Sequence, residues 1–111
     1  MPRTSITAAQ ASRAGTVLPA ATAGDAVNGN AIANDGRTVL IVKNTNGAAT
    51  ARTITFQTAK PVVDDLTKPT RSETIPAGET QVFGPFPPTD YGTTLAFNVD
   101  NAELTVQAVR V

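Results

Sequence analysis

The chain has 111 residues, enough for one hydrophobic core and too few for two. Nine basic and nine acidic residues cancel and are scattered, so attraction to nucleic acid or to an anionic membrane has no long-range electrostatic basis. Cysteine and histidine are absent, which removes disulfides, thiol chemistry, the usual zinc ligands and the commonest acid–base side chain.

Hydrophobic residues make up 41% of the sequence and aromatics only 5%, so the core must be built mainly from Val, Ile, Leu and Ala. No apolar run follows Arg3 or Arg13, and neither a signal peptide nor a transmembrane helix is expected. Small secreted domains commonly carry disulfides, so their absence points to synthesis and folding in the cytoplasm.

Residues 1–27 differ in composition from the rest of the chain. They are rich in Ala, Thr and Gly, and their large apolar side chains are Ile6, Val17, Leu18 and Val27. Ala8–Ala14 has the composition to start a helix, but Gly15 and Pro19 cut it short. The segment reads as an extended arm that docks on a partner, the alternative being a first strand over Gly15–Leu18 at a sheet edge.

The remaining residues, 28–111, read as one domain. Asn28–Ala33 is a short strand entering the Asn34-Asp35-Gly36 turn. Val39–Val42 is a continuous aliphatic run, as in a strand covered on both faces, and Thr53–Gln57 alternates with Ile54 and Phe56 on one side. Thr45–Ala49, centred on Asn46-Gly47, joins them, which predicts a central hairpin. Lys60-Pro61 ends the second strand, and the polar segment Val62–Arg71 reads as an exposed loop with room for one short extended piece.

Pro76-Ala77-Gly78-Glu79 is a turn between Ser72–Ile75 and Thr80–Phe83, which predicts a second hairpin. Strand pairing stops at Gly84-Pro85-Phe86-Pro87-Pro88. Thr94–Val99 and Leu104–Val111 alternate on either side of Asp100-Asn101, which predicts a third hairpin. The pattern as a whole is all-β: an antiparallel β-sandwich, jelly-roll-like, of about seven or eight short strands with an extended arm.

Side chains for chemistry are sparse. Asp64-Asp65 is the one adjacent acidic pair, and neighbours on an extended chain point to opposite faces. Asp100 with Glu103 reads as a plain turn before it reads as a cation site. A Ser72–Lys68 dyad lacks any sign of an oxyanion hole, and without histidine no conventional triad exists. Arg37, Lys43 and Arg52 lie near the central hairpin but read as part of a solvated face. No catalytic residue, metal ligand or cofactor site is expected. The least ordinary segment is Phe83–Pro88, either a stiff docking element or a cap on one end of the sandwich. Tyr91 is the single aromatic that would suit a sugar platform, and core packing is the plainer reading for it.

Four stretches together resemble a known group. NDGRTVLIVKN, then ARTITFQT, then TIPAGETQVFGPFPPTDYG, then a last strand ending TVQAVRV are similar to small structural proteins of tailed bacteriophages. The likeness spans roughly residues 28–111, and its most specific part is the PAG…GPFPP segment. It implies a compact sandwich in the virion, of the head decoration (capsid cement) type. The protein would sit outside the assembled shell and stabilise it without catalysis. The implied partner is the major capsid protein, with a second copy of the chain as a further candidate and no role for nucleic acid or membrane. On this reading the contacts fall to Ile6, Val17 and Leu18 in the arm, with Phe86 and Tyr91 beside them. A tail- or neck-associated sandwich and a carbohydrate-binding module are the competing functions.

Overall fold

The computed structural model describes residues 3–58 and 70–111. Ten strands and one helical turn are found there: β1 (Thr4–Ile6), β2 (Ala9–Gln10), β3 (Thr22–Ala23), β4 (Asn30–Ala33), β5 (Thr38–Asn44), β6 (Arg52–Gln57), β7 (Thr70–Ile75), β8 (Thr80–Phe83), α1 (Pro88–Tyr91), β9 (Thr94–Val99) and β10 (Leu104–Arg110). They form two facing sheets. One has the order β1–β4–β9–β6–β7. The other has the order β2–β10–β5–β8, with β3 also on β10. The all-β sandwich read from the sequence is the fold.

Alternation sets the inward face of each strand. Leu40 and Val42 on β5, Ile54 and Phe56 on β6, Leu95, Phe97 and Val99 on β9, and Leu104, Val106 and Ala108 on β10 are all buried. Within each strand these residues are two apart, so they project from one face of their sheet. Phe56 is the hub, with ring centroids 5.4 Å from Phe83, 5.1 Å from Phe86 and 6.1 Å from Phe97. The intervening residues of β5, Val39 and Ile41, are half-buried. The expected burial of both faces is therefore met only in part, because the sheet containing β5 has a single cover.

The pairing of the strands differs from expectation at three places. The central hairpin, the second hairpin and the third hairpin are not hairpins. β5 pairs with β10 and β8, while β6 pairs with β7 and β9. β7 and β8, joined by residues 76–79, lie in opposite sheets, and so do β9 and β10. Each turn carries the chain across the sandwich. The turn at 76–79 is nonetheless present, closed by the Glu79 N–H on the Pro76 carbonyl at 3.1 Å with Gly78 at φ +77°. Turn residues and inward alternation are the same for a hairpin as for such an arch. Only the partner of each ladder differs, and the partner is distant in sequence.

Other departures are smaller. The sheets are mixed rather than purely antiparallel, because β1 runs parallel to β4 and β2 parallel to β10. Neither a helix over 8–14 nor a strand over 15–18 forms; the arm's strands are 4–6, 9–10 and 22–23. Thr70 and Arg71, expected in a loop, begin β7, which pairs antiparallel with β6 from Gln57↔Thr70 to Arg52↔Ile75. The rest of that loop, with Lys60-Pro61 and Asp64-Asp65, lies outside the described residues.

Each of three buried asparagines sits where the chain changes sheets. Asn44 donates from Nδ2 to the carbonyls of Thr50 and Ile75, both at 2.9 Å, and its Oδ1 accepts the Asn46 N–H at 2.9 Å. Asn34 donates to the Gly92 carbonyl at 2.9 Å and accepts the Gly36 N–H at 3.1 Å. Asn30 accepts the Asp25 N–H at 2.9 Å and donates to the Thr4 carbonyl at 3.4 Å. Backbone leaving a ladder must still be hydrogen-bonded when buried. These side chains supply the partners that a hairpin ladder would have given.

Candidate partner-binding surface

The arm is laid along both sheets rather than held away from them. β1 extends one sheet in register Thr4↔Asn30 to Ile6↔Ile32. Thr7 and Ala8 then cross to the other sheet, where β2 follows the end of β10. After a turn closed by the Gly15 N–H on the Ser12 carbonyl at 3.1 Å, the chain comes back along β10. The Gln107 amide donates to the Pro19 carbonyl at 2.7 Å, and β3 pairs antiparallel with Thr105 and Val106. Residues 11–21 thus form a loop between β2 and β3, with both roots fixed to β10.

Polar contacts fasten the arm at its start. Arg3 donates to Asn98 Oδ1 at 2.7 Å and to the Phe97 carbonyl at 3.1 Å, passing over Gly29, where a Cβ would collide with the guanidinium. Thr4 Oγ1 donates to Asp25 Oδ2 at 2.6 Å. Asp25 also accepts the N–H groups of Asn28 and Val27 at 2.9 and 3.0 Å. The Asn28 N–H, then the Thr4 hydroxyl and the Val27 N–H, hold its carboxyl down at about 2.

The five contact residues expected from sequence separate into two sets. Val17 is 90% exposed and Leu18 49%, both on this loop. Ile6 is buried, because the third residue of β1 points inward beside Ile32. Phe86 is also buried, packed on Phe56 and met edge-on by Tyr91 at 5.2 Å. Phe83 and Phe86 therefore form the cap, and Tyr91 is half-buried beside it. Sequence reasoning missed Val82, which is 64% exposed on the edge strand β8. Its alternation with Phe83 was the available signal.

Clefts open on the surface among the described residues. One of about 470 Å³ lies at the crossing between β1 and β2, floored by Ile6, Ala8 and Ile32, with Asp35 and Arg110 at its mouth. Those two side chains form an ion pair. The Asp35 carboxyl is lowered first by the Arg37 N–H and then by Arg110. Another cleft, about 360 Å³, is bounded by Arg71, Glu73, Phe83, Phe86 and Tyr91, and Arg71 pairs with Glu73 at 2.9 Å.

The remaining candidates are not assembled into a site. Arg37 and Lys43 stand at opposite ends of β5, and Arg52 is bound to Glu103 at 2.7 Å. Ser72 shares a 3.0 Å hydrogen bond with Thr55, while Lys68 lies outside the described residues. Glu103 is engaged by Asn46 and Arg52, which in that order lower its pKa, and Asp100 is exposed. Among the described residues no three acidic side chains cluster as metal ligands would, and no helix is long and apolar enough to cross a membrane. No family model matches the chain, nor does any curated protein or solved structure.

Proposed function

We propose that this chain is a non-catalytic structural protein of a tailed-phage virion, of the head decoration type, that binds the outer surface of the capsid shell. The observation that carries the reading is the exposed loop of residues 11–21. Val17 and Leu18 face solvent on a segment rooted at two points of a sandwich with one buried hydrophobic cluster. A loop anchored in this way loses less conformational freedom on docking than a free tail. The resemblance of residues 28–111 to phage sandwiches supplies the kind of partner. Net charge of zero fits attachment through packing rather than through a charged field.

The mechanism is linkage. A protein that contacts subunits only in their assembled arrangement stabilises that arrangement by its own binding free energy. Many copies on one shell reinforce one another where neighbours touch.

The test uses the full chain. Removing residues 1–27 would also take Ile6 out of the core and Arg3 off Asn98, so point changes are cleaner. Val17→Ser with Leu18→Ser leaves the sandwich untouched and should weaken co-sedimentation with capsid shells about tenfold or more, since each buried aliphatic side chain is worth about 1.5–3 kcal/mol. Wild-type binding by the double variant would remove the loop from the interface. Copy number in purified virions checks the location. One copy per capsid subunit, or a simple fraction of that, fits decoration. A handful fits the neck or tail, and none would overturn the virion reading.

A further inference from the structure

We propose that Asn46 is a self-modifying site: its side-chain amide is attacked by the Gly47 backbone nitrogen and converted through a cyclic imide to aspartate and isoaspartate. The chain contains two Asn-Gly pairs, Asn28-Gly29 and Asn46-Gly47, and the fold treats them oppositely. At the first, Gly29 is buried and its N–H is committed to the Asp25 carbonyl at 3.0 Å. At the second, Gly47 is exposed, a Cβ there would meet nothing within 4 Å, and its N–H bonds to no described residue.

The amide oxygen of Asn46 is also held by backbone donors. It accepts two backbone N–H groups, from Ala48 at 2.7 Å and Thr50 at 3.1 Å. The first of these bonds closes a turn in which the side-chain oxygen spans the Asn46–Gly47 peptide. Both donors aim at the oxygen on which negative charge develops when that nitrogen adds to Cγ, as in an oxyanion hole. The Gly47 N–Cγ bond forms and the Cγ–Nδ2 bond breaks. Ammonia leaves carrying the proton lost by the Gly47 nitrogen. Water then opens the ring at either carbonyl, giving the normal or the isomerised acid. No other reactant is required, and base speeds the step because the backbone nitrogen must lose its proton.

The product does not fit its surroundings. Asn46 Nδ2 donates to Glu103 Oε1 at 2.8 Å, and Glu103 also binds Arg52. A carboxylate at 46 removes that donor and sets a like charge beside Glu103. The contact so lost ties the β5–β6 crossing to the β9–β10 crossing. The isomerised form also lengthens the backbone within the turn.

Purified full-length protein is incubated in mildly alkaline buffer, natively and in urea, and digested peptides are followed by mass spectrometry and isoaspartyl methyltransferase labelling. Natively, conversion at Asn46 should exceed that at Asn28 by about tenfold or more, and should be no slower than in urea. In urea the two sites should converge. Gly47→Ala, which the open space around Gly47 accommodates, should suppress conversion at 46. Equal native rates at the two sites, or a native rate at Asn46 below that of the unfolded chain, would overturn the proposal.

Discussion

The sandwich and the arm are both built of strands, yet they are held by different forces. β4 to β10 send side chains from two facing sheets into one core, so each strand is buried by residues distant in sequence. The arm strands β1, β2 and β3 lie on sheet edges, and of their side chains only Ile6 reaches the core. Ala8 packs against the core from between β1 and β2, and the rest of the arm is held by edge hydrogen bonds and by the polar contacts of Arg3, Thr4 and Asp25. Hydrophobic burial scales with apolar area, whereas a solvent-accessible hydrogen bond contributes only about 0.5–1.5 kcal/mol net. The arm is therefore the low-stability part of a single fold, the kind of element that opens first.

The sharpest way to break the core side of this contrast is Phe56→Ala. Phe56 touches three other phenylalanines and is completely enclosed. The substitution should cost about 3–5 kcal/mol, a large part of the stability of a domain of this size. Urea denaturation followed by circular dichroism checks it, and a loss below about 1 kcal/mol would mean that the aromatic hub is not central.

Asn44→Ala comes next. It leaves the carbonyls of Thr50 and Ile75 and the Asn46 N–H without their side-chain partner, at a fully buried position. The expected cost is about 2–3 kcal/mol, since buried groups left unpaired lose their hydration with no return. Equilibrium unfolding measures the size, and amide exchange should show the loss focused on residues 44–52. An unchanged midpoint would show that water replaces the asparagine without cost.

These corners also mark where reading the sequence succeeded and where it failed. Inward residues were legible from period-two alternation: Ile54 and Phe56, Leu95 to Val99, and Leu104 to Ala108 lie where the pattern put them. Turns were legible from Asn, Gly and Pro. Ladder partners were not, because alternation says which side chains face a core and not whether the next strand lies beside or opposite. Asn30, Asn34 and Asn44 carried the missing information, but an asparagine beside a turn looks the same whether it is solvated or is stitching two sheets together. Val17 and Leu18, expected at a contact surface, are exposed. The surface was misread at Ile6, whose burial depends on a parallel pairing with β4 that nothing in residues 1–10 announces.

Acid should separate the arm from the sandwich most gently. The Asp25 carboxyl is lowered from its ordinary 3.8 to about 2 by the N–H of Asn28, the Thr4 hydroxyl and the N–H of Val27. A lowered folded pKa means that the stabilisation is complete above the unfolded value and is lost as pH falls through the folded one. The window is therefore about pH 4 down to about pH 2. Across it Asp25 takes up a proton, and its hold on Thr4 and on residues 27–28 weakens. Asp35 and Glu103 are shifted in the same direction, so global stability also falls there, and the arm's share must be isolated. Asp25→Asn isolates it, because an amide at this position carries no charge to lose. Pepsin cleavage within residues 3–24 should rise steeply through the window in the wild type and follow a flatter course in the variant. Parallel profiles for the two proteins would mean that the arm is held by its edge ladders alone.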